Sequence, residues 1–393
     1  MSASTTSWGN MSNKIVPNLA KRVFGTSWVV LALAIFIYSY GFVDLNLTLS
    51  SNPILFNFVT WVQHLVYFNR PLSLKIFVVL ITVMFFLYIG TLVYWSNTKL
   101  TRFPWRFITL LALILSLSYP MLSSDVFKYL FAGKEILVYH ASPYLVTPNS
   151  FEGDTWISFM RWVHTTTPYG PVFTGLTIPY YLLGFGKFVP ILYLFKLDQV
   201  AWYLFAIYLI GKLKGLKAQL FFALNPLVMM EWLVNAHNDA IMITLLLLSL
   251  YLYTLKQRAW SFVSLLASIG IKYVTVIFLP FIFLKKLSLS TITHSLLAAL
   301  AVAPLLYHYS WQYQPWYVTW LIPLVSLSPH KWVRSSVAVY SFSVFSRYLY
   351  FVGTGSWLGT PLWHALMTFA PPVICGLYFL ILRISTHYRK NIT

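Results

Sequence analysis

Apolar runs long enough to cross a bilayer recur along nearly the whole chain, and that feature leaves few folds open. Residues 28–43, 76–95, 107–122, 241–255 and 296–307 are the clearest. Several approach the roughly 20 residues that a helix needs to cross about 30 Å of hydrocarbon. Strands of a membrane barrel would be about 10 residues long and apolar only at alternate positions, so helices are expected. A mean hydropathy of +0.72, with 9% charged residues, overrides the two or three soluble domains that 393 residues would otherwise suggest. The expected fold is all-α: one integral-membrane module over residues 1–393, a polytopic bundle of about 11–13 spans.

A formal charge of +19 raises the question of nucleic acid. The basic residues sit instead in short clusters between apolar runs: Lys14/Lys21/Arg22, Lys99/Arg102/Arg106, Lys212/Lys214/Lys217, Lys256/Arg258, Lys285/Lys286, Lys331/Arg334 and Arg389/Lys390. That is the positive-inside pattern of cytoplasmic loops, so no nucleic-acid partner is expected. Requiring each cluster to face inward gives a topology. A cytoplasmic tail (1–23) precedes 24–43 going out, 74–95 returning and 103–122 going out, which makes 122–171 a large external loop. Two apolar stretches, 172–185 and 188–211, precede the next inward cluster, and the shorter, Gly/Pro-flanked first one is taken as re-entrant. Spans 218–235 and 239–255 follow, and then a hairpin over 259–284 that turns near Lys272. Segments 289–307, 316–328, 332–352 and 363–385 complete about twelve crossings, with 386–393 cytoplasmic. The first apolar run lacks a small-residue cleavage site and reads as a retained anchor. The single Cys375 excludes an intrachain disulfide.

Half of the eight acidic residues fall in the 122–168 segment: Asp125, Glu135, Glu152 and Asp154. Ser123-Ser124-Asp125 reads as a Ser-capped helix start. Asp125, Lys128 and Tyr129 then share one face, and Val126, Leu130, Phe131 and Leu137 suit an amphipathic helix lying in the membrane interface. A carboxylate beside a cation suits a base that stays ionised while a phosphate docks nearby; an ordinary capped surface helix is the alternative. The segment closes on Thr165-Thr166-Thr167-Pro168-Tyr169-Gly170-Pro171, a forced turn. His164 is a candidate general acid or phosphate donor, or simply a loop histidine.

A second constellation lies between two spans, where Pro226 should kink the incoming helix. Glu231 near its outer end, Asn235, and His237-Asn238-Asp239 gather donors and acceptors, with Asp239 able to orient His237; a polar connecting turn is the alternative. Acids at membrane depth usually face a cavity. Lys272 stands alone in an apolar stretch, as a snorkelling residue or as a point charge for phosphate. Gln314-Pro315-Trp316 begins a helix with aromatics suited to interfacial anchoring or to stacking on carbohydrate. Asp125 with Asp239 could hold a hard cation, but no metal-ligand spacing supports one, and neither metal nor cofactor is expected.

Taken in order, 123–130 (Ser-Ser-Asp-Val-Phe-Lys-Tyr-Leu), 142–144 (Ser-Pro-Tyr), 167–172 (Thr-Pro-Tyr-Gly-Pro-Val), 225–227 (Asn-Pro-Leu), 235–240 (Asn-Ala-His-Asn-Asp-Ala), 272–273 (Lys-Tyr) and 314–317 (Gln-Pro-Trp-Tyr) resemble a known set. The chain is similar to the GT-C glycosyltransferases, specifically the bacterial polyprenyl-phosphate-mannose-dependent α-(1→6)-mannopyranosyltransferases. The resemblance spans roughly residues 120–320. It implies a GT-C-like bundle whose presumed base, early in the first large external loop, maps onto Asp125. It further implies a polyprenyl-phosphate-linked sugar donor, a glycolipid or glycan acceptor and inversion by single displacement. Lys128, Arg161 and Lys272 would stabilise the leaving phosphate, and His237, Asn238 and Asp239 would bind sugar hydroxyls or phosphate. Tyr129, His164, Tyr169, Glu231, Asn235, Gln314 and Trp316 complete the substrate-binding set. The expected protein is a multi-pass monomer in the cell membrane with its site outside. A secondary transporter or flippase is the main competing reading, though no internal repeat is evident. A membrane O-acyltransferase would leave Asp125 unexplained.

Overall fold

The computed structural model describes residues 8–98, 101–284, 287–306, 313–357 and 363–392. The basic positions Lys99, Lys285 and Lys286 lie outside them. Among the described residues all regular structure is helical. Helices α1 (Trp8–Ser39), α2 (Pro53–Leu65), α3 (Arg70–Asn97) and α4 (Trp105–Ser116) come first. Then follow α5 (Asp125–Leu137), α6 (Pro171–Leu183), α7 (Phe188–Lys214), α8 (Leu216–Ala223) and α9 (Pro226–Val228), the last continuing as a π-helical turn, Met229–Val234. The remainder are α10 (Asp239–Thr254), α11 (Arg258–Ile269), α12 (Leu279–Phe283), α13 (Leu289–Leu306), α14 (Pro315–Val318), α15 (Leu321–Leu327), α16 (Lys331–Ser343), α17 (Ser346–Thr354) and α18 (Trp363–Ile392).

Five stretches are long and apolar enough to cross a membrane: Arg22–Phe42, Arg70–Asn97, Phe188–Lys214, Leu289–Leu306 and Trp363–Thr386. The pair Pro226–Val234 and Asp239–Thr254 makes a sixth, its axis bent by 116° at the break. Other segments counted among the twelve crossings are shorter. Trp105–Ser116, Arg258–Ile269 and Pro315–Leu327 each fall short of a full span, because turns and prolines interrupt the apolar runs. Segment 172–185 becomes α6, whose 13 residues extend about 20 Å and cannot cross alone. Residues 259–284 do form the expected hairpin, turning at 270–272.

Packing follows membrane rules, with small polar residues letting backbones approach. Ser249 and Ser261 bond across α10 and α11 at 3.0 Å, while Ser264 and Ser268 donate to the Leu245 and Met242 carbonyl oxygens at 2.8 Å each. Helix α7 runs through the centre, against α4, α6, α8, α10 and α15. Large apolar side chains left exposed, such as Phe86 on α3 and Leu366, Ile374 and Ile381 on α18, suit a lipid-facing surface.

Candidate active site

The approach to α5 sets the position of Asp125. Leaving α4, the chain is tied at two points: the Tyr119 N–H donates to Ser39 Oγ (2.9 Å) and the Leu122 N–H to Asn235 Oδ1 (3.1 Å). Ser123 Oγ accepts the Asp125 N–H at 3.2 Å, whereas Ser124 makes no side-chain cap. Asp125 opens α5 at its positive end, where a carboxylate is favoured. Beyond this residue the helix is enclosed by protein. Val126, Leu130 and Phe131, expected at a membrane interface, are buried in the core. Gly133 makes this possible: a Cβ there would lie 2.9 Å from the Thr177 carbonyl oxygen of α6.

Behind Asp125 lies a sealed polar layer. After the π turn, Ala236 takes φ +57, a left-handed conformation uncommon for a residue with a Cβ. The reversal brings His237 back over the turn. Its N–H donates to the Glu231 carbonyl oxygen (2.9 Å), and its Nε2 lies 3.3 Å from Glu231 Oε2. The Tyr348 hydroxyl (2.7 Å) and Asn235 Nδ2 (3.1 Å) donate to the Glu231 carboxylate. On its other side, His237 Nδ1 is 3.9 Å from Oδ2 of both Asp125 and Asp239, and the ring stacks on Trp316 with centroids 4.5 Å apart. The orientation of His237 thus comes from Glu231 and Trp316. Asp239 instead accepts from Lys272 Nζ at 2.7 Å and from the Trp320 indole N–H. The Tyr129 hydroxyl sits 3.4 Å from both His237 Nδ1 and Asn238 Oδ1. Lys196, on α7 and fully buried, donates to the Leu233 and Val234 carbonyl oxygens at 3.0 and 2.6 Å. Those are the acceptors that a helix end leaves free.

The 167–171 turn docks on the α11 hairpin. The Gly170 N–H donates to the Ile271 carbonyl oxygen (2.9 Å) and the Phe173 N–H to that of Gly270 (3.1 Å). A Cβ at Gly170 would come within 2.2 Å of the Gly270 carbonyl oxygen, so the turn requires glycine. This contact fixes the backbone beside Lys272 and places the Tyr169 ring 5.7 Å from its Nζ.

Asp125 opens onto a cavity of about 470 Å³ walled by the segments around Asp44, Arg70, Asp125, His164, Trp316 and Trp357. Of the expected site residues, Asp125, Arg161, His164, Gln314 and Trp316 line it. Tyr129, Tyr169, Glu231, Asn235, His237, Asn238, Asp239 and Lys272 lie in the layer behind. Lys128 is turned to the neighbouring loop: its ammonium donates to the carbonyl oxygens of Trp162 (3.3 Å), Thr165 (2.5 Å) and Thr166 (2.9 Å), and to the Thr165 hydroxyl. It pins the loop that carries Trp162. Arg161 is mostly exposed, 4.0 Å from Asp44.

Residues 23–287, more than half of the chain, match the family model described as alpha-(1->6)-mannopyranosyltransferase, N-terminal domain. The chain belongs to this mannopyranosyltransferase family. Neither the curated proteins nor the solved structures compared with it give a match. The mannopyranosyltransferase family and the long apolar helices together make it a multi-pass, membrane-embedded glycosyltransferase. The matched stretch holds Asp125 and the layer behind it, and ends before Gln314 and Trp316.

The electrostatics around Asp125 follow from its burial and its neighbours. Burial pushes its carboxyl above the ordinary value; His237 and Lys272 pull it back, Asp239 pushes it up, and a Trp162 hydrogen bond lowers it. Burial also brings Lys128 down to about 8, against Glu135 and Asp125, and raises Glu135 to about 7, against Lys128. Among the described residues, no three His, Cys, Asp or Glu are grouped to hold a metal ion. Sequence reasoning passed over Asp44, Arg70, Lys196, Tyr348 and Trp357. Their partners are more than a hundred residues away or unmarked by any motif, and only the lone charges of Asp44 and Lys196 in apolar surroundings gave a signal.

Proposed function

We propose that this glycosyltransferase is an inverting enzyme that moves mannose from a polyprenyl-phosphate donor to a hydroxyl of a glycolipid or glycan, with Asp125 as general base. One observation carries the reading. Asp125 reaches the cavity with a side chain 18% exposed, while the Glu231 and Asp239 side chains are fully enclosed and engaged. The acceptor oxygen attacks the anomeric carbon as its proton passes to Asp125 and the carbon–oxygen bond to phosphate breaks. A retaining route would need a second free carboxylate about 5–5.5 Å away as nucleophile. Asp44, the other carboxylate in the cavity, accepts the Asn46 N–H at 3.0 Å and faces Arg161. One displacement therefore inverts, and a β-linked donor gives an α-glycoside. Trp316, braced by His237, offers a flat wall for a sugar ring.

We assign the site to the external face of the cell membrane because the inward-facing basic clusters put 122–171 outside. The reaction is tested by following radiolabelled mannose from polyprenyl-phosphate-mannose in membranes, with host glycolipids as acceptors. A new labelled product that depends on the wild-type protein is expected. No transfer from this or any other lipid-phosphate sugar would sink the reading and favour transport. The face is tested with Ser150→Cys in a Cys375→Ser background, since Ser150 is exposed. An impermeant maleimide should label it from outside, and labelling from the cytoplasmic side alone would invert the topology.

A further inference from the structure

We infer that Arg70 binds the phosphate of the lipid-linked donor, an assignment that rests on the lipid-phosphate reading above. A phosphodiester donor carries one negative charge, and the departing monoester carries close to two, so transfer needs a cation whose contact strengthens as the bond breaks. Most cations near Asp125 are already committed. Lys272 is held by Asp239 at 2.7 Å, Lys134 by Asp154 at 2.5 Å, and Lys128 and Lys196 by backbone carbonyls. Arg161 is exposed and drawn toward Asp44.

Arg70 differs on each count. It lines the same cavity as Asp125, and no carboxylate among the described residues lies within ion-pair distance of it. Its Nη1 is buried and has no hydrogen-bond partner. The guanidinium is nevertheless fixed, with its carbon 4.5 Å from the Tyr67 ring centre and 5.9 Å from that of Phe42. Glycine at 355, with φ +78, leaves room beside it: a Cβ there would lie 3.3 Å from Nη2. A planar fork with a donor to spare suits a phosphate group better than an ammonium does.

An apolar path continues from this point. Phe42 lies 6.3 Å from Phe351, which stacks on Trp357 at 4.3 Å and 12°, and all three line the cavity. The donor therefore lies with its phosphate on Arg70, its first isoprene units against Phe42, Phe351 and Trp357, and its sugar toward Asp125 and Trp316.

The test compares binding of a polyprenyl monophosphate and of the matching neutral polyprenol to the purified full-length protein, read by tryptophan fluorescence. Wild type should prefer the phosphate. Arg70→Gln should erase that preference, a loss of about tenfold or more, while leaving polyprenol binding unchanged, and Arg70→Lys should retain part of it. In transfer assays kcat should fall at least as much as the donor KM rises, because the contact strengthens as the bond breaks. A preference undiminished in Arg70→Gln overturns the assignment but leaves the donor reading standing. A wild type that does not distinguish phosphate from alcohol removes the donor reading and the assignment together. Should Arg70→Gln fail to fold, an Arg70→Lys variant indistinguishable from wild type would overturn the assignment, and a reduced preference would support it.

Discussion

Replacing Asp125 by Asn keeps the size and shape of the side chain and removes the proton acceptor. General bases contribute about 10²–10⁴-fold, and at 1.36 kcal/mol per decade that is about 3–5 kcal/mol of barrier. The loss should fall at the upper end of that range, because the carboxylates packed behind Asp125 are already engaged. Glu231 is occupied by Tyr348, Asn235 and His237, and Asp239 by Lys272 and Trp320. Folding should not suffer. Burial raises the Asp125 carboxyl in the folded state, so the folded chain binds that proton more tightly than the unfolded one. The associated stability is full at low pH and is lost as pH rises through the raised value, so at neutral pH the charge opposes folding. The uncharged amide should leave thermal unfolding at neutral pH unchanged or slightly higher. The assay is initial-rate transfer of labelled mannose, with unfolding temperature and lipid-phosphate binding measured on the same preparations. The wild-type rate should climb with pH through the raised Asp125 value and level off above it. A folded Asp125→Asn protein turning over within a few-fold of wild type would refute the assignment of the base.

Two further expectations test the scaffold. Gly170→Ala forces a Cβ to 2.2 Å from the Gly270 carbonyl oxygen and should lower the unfolding temperature by an amount corresponding to about 1–3 kcal/mol. Gly175→Ala, with nothing within 4 Å of its added Cβ, should be neutral or slightly stabilising; equal effects would discount the close approach. Glu135 has a folded value near 7, raised by burial, so wild-type stability should fall as pH rises from about 4.5 through 7. Glu135→Gln should flatten that decline, and an unchanged pH profile would mean that Glu135 is solvated.

Much of the architecture was legible because lipid imposes a coarse code: apolar length, positive clusters, and Pro or Gly at the breaks. The same code reads composition and not interruption, so it does not show where a run is broken; α16 and α17, for example, divide residues 332–352 at Val344–Phe345. Asp125, His237, Asp239 and Lys272 were legible as a group because charges in such a chain are few. Their contacts were not, and the two cases differ physically. Lys128 follows Asp125 by three residues and reads as its partner, yet the carbonyls of 162–166 outcompete it through a loop closure that no periodicity encodes. Val126, Leu130 and Phe131 form an apolar face whether lipid or protein covers it, so only the close approach at Gly133 separates the two outcomes.

The buried layer also bears on the contest between transferase and transporter. Three carboxylates around one imidazole are costly to enclose, and a transporter would need such groups to open and exchange partners. Here Glu231 has three polar partners and Asp239 two strong donors, and the backbone that carries them is itself held by Lys196, Asn235 and the Gly170–Gly270 contact. Breaking any one of these would leave a buried charge or carbonyl unpaired. Carboxylates engaged in this way resist rearrangement even though His237 Nε2 and Asn238 Nδ2 are buried without a hydrogen-bond partner, which suits a layer that tunes the proton affinity of Asp125. Catalysis needs that rigidity in the layer behind the base, with movement confined to what enters the cavity.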